Sequence, residues 1–348
     1  ATGMNQGPLS YSQQRLWLLE QIEQTSAHYN IFGSIKLTGH LDICALESAL
    51  LAIISRHKVL RSVFVDDNEQ PMQLVRECTD VQMTIDDISN CSAEQQNQQV
   101  DMLKAEFAGY NFDLKNDLLI KIRLLKLAEQ DHLLLICMPH IVSDGWSMAV
   151  LVNEFSSLYT AFKLEQQNPL AELPIQYIDY ALWQRQTIAS LQTESLDYWQ
   201  TQLKNLPVVH NLPLDYPRPK VQTFSGATHY NKLNQATLNK LQALLQQHKA
   251  SLFMGLHAAF SVLLARYSNE SDIVIGSPIA NREQAEINAL IGFFVNTLVL
   301  RADLAGQPTF EQLIQQSRDT LLQAYAYQQV PFEKLVEVLQ PERNIAHS

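Results

Sequence analysis

The stretch that most constrains this chain is HLLLICMPHIVSDGWSMAV, His132–Val150. Leu133–Met138 is an unbroken apolar run, the pattern of a strand covered on both faces. From Trp146 onward, Met148, Val150, Leu151, Phe155, Leu158, Tyr159 and Phe162 recur at helical spacing. The two patterns meet in a turn that carries His140, Asp144 and Gly145. An imidazole at the end of a buried strand, with a carboxylate at the next helix entrance, can form a catalytic corner. The same residues also fit a plain structural role, with Asp144 capping orphan helix N–H groups. Asp144 could orient His140 or pair with a cation, and Gly145 would let backbone approach closely at a crowded point.

With 348 residues, two domains are expected, and 46% hydrophobic with 18% charged residues describes a globular chain. The net charge of −11, from 36 acidic and 25 basic residues, speaks against nucleic acid or an anionic membrane as partner. No apolar run of about 18 residues occurs, so no membrane span is expected. The opening ATGMNQGPLS lacks the basic and apolar regions of a signal peptide. Cys44, Cys78, Cys91 and Cys137 have no CxxC spacing, and Cys44 and Cys137 lie in apolar runs as core thiols would. A cytoplasmic, metal-free protein is expected.

Helices and strands alternate along the chain. Helices are expected at Leu9–Ile22, Leu41–His57 (with Leu46, Leu50, Ile53 and Ile54 on one face), Ser92–Tyr110 and from the opening turn to about Leu164. Strands are expected at Tyr29–Gly39, in a hairpin over Val59–Val75 whose polar turn contains Asn68 and Pro71, at VQMTIDD, and as two strands in Leu118–Met138. Polar, proline-bearing residues 166–176 read as a linker between an N-terminal lobe (1–168) and a C-terminal lobe (177–348). The second half has helices in YIDYALWQRQ and SLDYWQTQLKN, near Gln235–His248 and Leu252–Tyr267, over Pro308–Gln328 and at Pro331–Leu339. Its strands are DIVIGSPIA and the end of INALIGFFVNTLVLRADL. No serine or cysteine sits in a nucleophile elbow and no second carboxylate flanks the turn, which disfavours covalent hydrolase and glycosidase chemistry.

MPHIVSDGWS (Met138–Ser147) resembles the HHxxxDG core of nonribosomal peptide synthetase condensation domains. Further motifs follow in that family's order: LSYSQQRLWLLEQ, RHKVLRSVF, YIDYALWQ, LPLDYPRP, IGFFVNTLVLR and VPFEKLVEVL. The resemblance implies an α/β fold of two chloramphenicol-acetyltransferase-like lobes arranged as a V-shaped pseudodimer. It also implies amide bond formation between two thioesters. One is an acyl or peptidyl donor and the other an aminoacyl acceptor, each on the 4'-phosphopantetheine arm of a carrier domain. The domain would bind no cofactor of its own; donor and acceptor carrier domains and an adjacent adenylation domain are the implied partners. His140 matches the family's second histidine, at the channel centre. Asp144 matches the loop aspartate and Arg282, in GSPIANR, its arginine partner. Arg61, Trp146 and Asn296 fall in motifs near the site as shaping residues.

The sequence departs from the family pattern twice. Pro139 stands where the family has its leading histidine, and strand alternation should point it away from the face His140 occupies. The chain also stops at PERNIAHS, so the second lobe is expected to be incomplete, with open strand edges and exposed apolar surface. The rival readings are an epimerization domain, a stand-alone acyltransferase, and a catalytically impaired docking module. FFVNT and QQRLWLLEQ favour the condensation type over the first, YIDYALWQ and LPLDYPRP over the second.

Overall fold

A computed structural model describes residues 3–23, 27–67, 70–77, 83–190, 193–207, 209–219 and 226–340. The described residues fall into two compact units, one within 1–190 and 280–295, the other within 191–279 and 296–348.

The first unit is built on a four-stranded sheet in the order β2-β7-β6-β5: β2 (Asn30–Thr38), β7 (Asp131–Pro139), β6 (Lys121–Ala128) and β5 (Met83–Asp87). β7 runs antiparallel to both neighbours, whereas β5 and β6 are parallel. A parallel pair requires a crossover, and the helix α3 (Ala93–Ala108) lies in that connection, opened by a capping box of Ser92 and Gln95. β7 is an interior strand whose apolar run is covered on both faces: Leu134–Met138 are fully buried, as that run requires. Two helices contribute heavily to this core. α2 (Ile43–Arg56) is capped by Asp42 and buries Leu46, Leu50, Ile53 and Ile54; α4 (Gly145–Lys163) buries Leu151, Phe155 and Leu158. α4 sits close on β2 at Gly33, where a Cβ would press on the Met148 methyl.

A second, three-stranded antiparallel sheet, β1-β4-β3, joins β1 (Gln6–Pro8), β4 (Gln70–Val75) and β3 (Ser62–Asp67). The expected hairpin is therefore present, but Pro71 belongs to β4, opposite Asp66, and not to the turn; Asn68 lies outside the described residues. Proline is tolerated there because β1 pairs only with Met72, Gln73 and Leu74, leaving no partner for the missing N–H. α1 (Tyr11–Glu23) and α5 (Tyr177–Ser190) also belong to this unit.

The expected boundary is displaced. Residues 166–176 form no helix or strand, yet Leu170, Leu173 and Ile175 pack on the first unit's core and Arg56 Nη1 donates to Ala171 O at 2.6 Å. α5, assigned to the second lobe by the 177–348 boundary, instead buries Tyr177, Ile178, Tyr180 and Ala181 in the first unit. Composition marked the polar stretch, but the aromatic face beyond it decides where the unit ends. Cys44 is likewise exposed rather than a core thiol. It lies two residues from Leu46, on the opposite side of α2 from the apolar stripe. Cys137 is buried, and that burial pushes its thiol up to about 12.

The second unit holds α6 (Thr193–Gln202), α7 (Gln235–Gln247), α8 (Leu252–Ser268), α9 (Phe310–Ala326), α10 (Phe332–Leu339) and an antiparallel pair, β8 (Asp272–Ile279) with β9 (Asn296–Asp303). Its core gathers Trp199, Leu298, Leu300, Leu321 and Leu335. Phe253, Leu256, Phe260, Leu263 and Tyr267 of α8 are exposed. Among the described residues no single helix is long and apolar enough to cross a membrane.

Leu50→Ala should lower unfolding free energy by about 2–5 kcal/mol, through lost burial and a residual cavity. Cys44→Ala should change it by less than about 0.5 kcal/mol. Denaturant titration of the two variants beside the parent chain checks both, and equal effects would contradict the helix orientation described.

Candidate active site

The strand-turn-helix at the end of β7 positions the site. After Pro139 the chain makes one 3₁₀ turn, His140–Val142, and extends through Ser143 to Asp144, the N-cap of α4. Asp144 Oδ1 accepts from Ser147 N at 2.8 Å and from Ser147 Oγ at 2.7 Å. Its carboxylate also meets Arg282, whose Nη2 lies 3.1 Å from Oδ1 and 3.3 Å from Oδ2. Both side chains are only 1% exposed, so this is a fully buried ion pair. Burial lowers the Arg282 pKa from its ordinary value, and Asp144 opposes that shift. The guanidinium lies over the Phe294 ring, 4.1 Å from its centroid.

Asp144 does not orient His140. His140 Nδ1 is 2.8 Å from Ser143 O, a carbonyl that can only accept, so Nδ1 carries the proton. In the neutral ring this leaves a lone pair on Nε2. The imidazole is partly buried and packs on Phe293, with ring centroids 4.5 Å apart. A fixed tautomer with a free Nε2 can accept a proton or a hydrogen bond from an attacking group.

Phe293 belongs to a loop, residues 288–295, whose backbone is held by side chains from elsewhere in this unit. Arg282 Nη1 donates to Ile287 O (2.7 Å) and Leu290 O (2.8 Å), and Trp146 Nε1 to Asn288 O (3.0 Å). Ser147 Oγ accepts from Gly292 N at 3.0 Å, and Asp144 Oδ2 accepts from Phe294 N at 3.1 Å. Tyr177 Oη donates to Phe293 O at 2.6 Å, and Asn281 Nδ2 to Phe294 O at 3.1 Å. His57 Nδ1 accepts from Ile291 N at 3.2 Å.

A sequence profile described as Condensation domain matches residues 4–348. The chain belongs to the condensation domain family. It is 43% identical over 342 residues to a linear gramicidin synthase of Brevibacillus parabrevis, covering 98% of this chain and 7% of that one. It is 37% identical over 347 residues to a probable non-canonical nonribosomal peptide synthetase of Salinispora arenicola, covering 98% and 4% respectively. The condensation domain thus spans less than a tenth of the length of these relatives. Among solved structures, the X-domain from teicoplanin biosynthesis matches with a TM-score of 0.91 at 26% identity, covering all of this chain and 76% of that one. That X-domain has also been solved in complex with OxyB. These matches place the α/β fold in the chloramphenicol-acetyltransferase-like class.

Within the condensation domain, His140, Asp144, Trp146 and Arg282 come together around one turn and one loop, and other candidates do not join them. Arg61 closes the 3₁₀ turn Lys58–Arg61 and donates to Arg76 O at 2.5 Å. Asn296, at the start of β9 in the second unit, donates to Gln328 O and Val330 O and accepts from Thr297 N and Phe332 N. Its amide is committed to holding the turn before α10. Pro139 is buried where His140 is only partly so, and it pairs with Asn30 two residues past the last β6 partner.

Gly145 does not mark a crowded point: a Cβ there would meet nothing within 4 Å. The crowded glycine is Gly292, where a Cβ would collide with the Tyr177 ring. The residues missed from sequence are the others that hold the loop, Ser147, Tyr177, Asn281 and His57, with Glu154 behind His57. Ser147 is uninformative as a lone serine. Glu154 carried a readable signal, a carboxylate on the buried stripe of α4 between Leu151 and Leu158. It receives Arg56 Nε at 2.9 Å and His57 Nε2 at 2.8 Å. Among the described residues no cluster of three His, Cys, Asp or Glu is arranged to hold a metal.

The buried charged and titratable groups lead to two outcomes. Asp144→Asn keeps the shape but leaves a buried guanidinium without its counter-charge, so unfolding free energy should drop by about 3–5 kcal/mol in denaturant titration. His57, His132 and His257 are each held below the ordinary imidazole value, chiefly by burial. All three are neutral when folded and take up a proton on unfolding below about pH 6.5. Their contribution is complete above that pH and falls as pH drops toward their lowered native values. Thermal melts should therefore show a lower Tm at pH 5.5 than at pH 7.5, and a flat profile would contradict neutral burial.

Proposed function

We propose that this domain forms an amide bond between a carrier-bound acyl or peptidyl thioester and the amine of a carrier-bound aminoacyl thioester. The observation that carries the reading is the His140–Ser143 hydrogen bond, which fixes the tautomer and leaves Nε2 as the acceptor. An α-amine has a reference pKa of about 7.7–8.0, so a useful fraction attacks without prior deprotonation. As the amine nitrogen bonds to the thioester carbonyl carbon it becomes positively charged. His140 Nε2 then accepts a hydrogen bond or the proton from that nitrogen, and the carbon–sulfur bond breaks to release the donor arm as a thiol. The buried Asp144–Arg282 pair holds the turn from behind and touches no reacting atom. The 4'-phosphopantetheine arms belong to the substrates, and the donor and acceptor carrier domains and an adenylation domain are the partners this reading requires.

A second reading has its own support. The teicoplanin X-domain, at a TM-score of 0.91, is found in complex with a partner protein. Pro139 departs from the paired-histidine motif. A domain of this fold that recruits carriers without joining their cargo would bind loaded carriers and leave both unchanged.

Mass spectrometry of donor and acceptor carrier domains, loaded from a panel of amino acids and mixed with this chain, separates the two. Dipeptide on the acceptor is expected, with His140→Ala lowering the rate by about a hundredfold or more. Dipeptide formation unaffected by His140→Ala would remove His140 from the reaction, and carrier binding without dipeptide would favour recruitment. Pro139→His should change the rate by less than about threefold, because Pro139 is buried whereas His140 is only partly so, and neighbours at a strand end point to opposite faces.

A further inference from the structure

The buried pair His57–Glu154 lies outside the reaction just described, yet it is built with unusual care. His57 is 1% exposed and Glu154 7%. The two ring nitrogens of His57 have opposite duties. Nδ1 accepts from the backbone N–H of Ile291 at 3.2 Å, so it must keep its lone pair. Nε2 must then carry the proton and donate to Glu154 Oε2 at 2.8 Å. Burial lowers the His57 pKa, consistent with a neutral ring. Burial alone would raise the Glu154 carboxyl. The hydrogen bonds from His57 and Arg56 and the Arg56 charge outweigh it and hold the carboxyl below its ordinary range. Arg56 Nε occupies Oε1 at 2.9 Å, so the second oxygen is left for His57 alone.

The polarity of this relay is therefore set from one end. A charged donor fixes the carboxylate, the carboxylate fixes the imidazole tautomer, and the imidazole fixes Ile291. Ile291 is two residues before Phe293, whose ring lies against the His140 imidazole. The loop between them has little freedom, since Gly292 N is held by Ser147 and Phe293 O by Tyr177. On the function proposed above, we propose that His57 and Glu154 are positioning residues. Through Ile291 and Phe293 they set the direction in which His140 presents Nε2.

Glu154→Gln tests this with almost no change in shape. A glutamine that accepts from Arg56 turns an N–H toward His57 Nε2 and forces the proton onto Nδ1, against the Ile291 N–H. A glutamine turned the other way sets two donors against each other at Arg56. Either arrangement mis-poles the relay. The expected result in the loaded-carrier assay is a fall in kcat of about tenfold to a hundredfold, with the KM for the acceptor carrier within about twofold. A second readout does not need turnover. The proton shift of His140 Cε1–H reports its place beside the Phe293 ring, and it should move in Glu154→Gln.

His57→Asn and His57→Gln serve if Glu154→Gln does not fold. Asparagine puts an acceptor near the Nδ1 position and can keep Ile291; glutamine reaches toward Glu154 and cannot. Asn should retain more kcat than Gln at comparable Tm. Unchanged kcat and an unmoved His140 resonance in Glu154→Gln would overturn the inference, as would equal losses in the two His57 variants. If the parent chain forms no dipeptide, the functional reading falls by itself, and the His140 resonance still decides the positioning role.

Discussion

A buried ion pair, Asp144 with Arg282, is the interaction on which the rest of this site depends. Neither side chain reaches solvent, so neither charge has water to solvate it. Such a pair is stable where most of the remaining donors and acceptors are also served, and here Arg282 Nε is left without a hydrogen-bond partner. That requirement brings the surrounding parts together. Asp144 caps α4 through Ser147 and accepts from Phe294 N, while Arg282 turns Nη1 to Ile287 and Leu290. One ion pair thus ties the end of β7, the start of α4 and residues 282–294 into a single piece.

The consequence for His140 is a division of labour. A carboxylate four residues from a histidine invites comparison with a dyad, in which the acid would steer the ring. Here the acid faces the opposite way, and a backbone carbonyl of the same turn does the steering. On the function proposed above, the leaving group is a thioester, which is already activated. The loop that carries Phe293 is the other wall of the ring. It has almost no secondary structure of its own, so its shape comes from the side chains that hold its backbone.

Much of this was legible in the residues. The apolar run Leu133–Met138 became an interior strand, and the stripe Leu46, Leu50, Ile53 and Ile54 became the core face of α2. These features survive because burial follows periodicity closely when a segment is long and strongly patterned. The pairing of Asp144 with Arg282 was reached through the order of several motifs and not through spacing, since 138 residues separate them. Gly145, read as a point of close approach, faces open space, whereas Gly292 is pressed by a tyrosine from another helix.

The opening turn, met as a strand ending in a histidine and an aspartate, illustrates the limit. Sequence by itself determined that a buried strand must end there and a helix begin, because side-chain period and capping chemistry are local. It also supplied the family, because ordered motifs are carried by the chain itself. Only the tertiary structure decided which way the aspartate faces and which atom holds the histidine. It alone showed that residues 280–295 return to the first unit to complete the turn. Those outcomes depend on which buried donors and acceptors find each other across long stretches of chain, and no local pattern encodes that pairing.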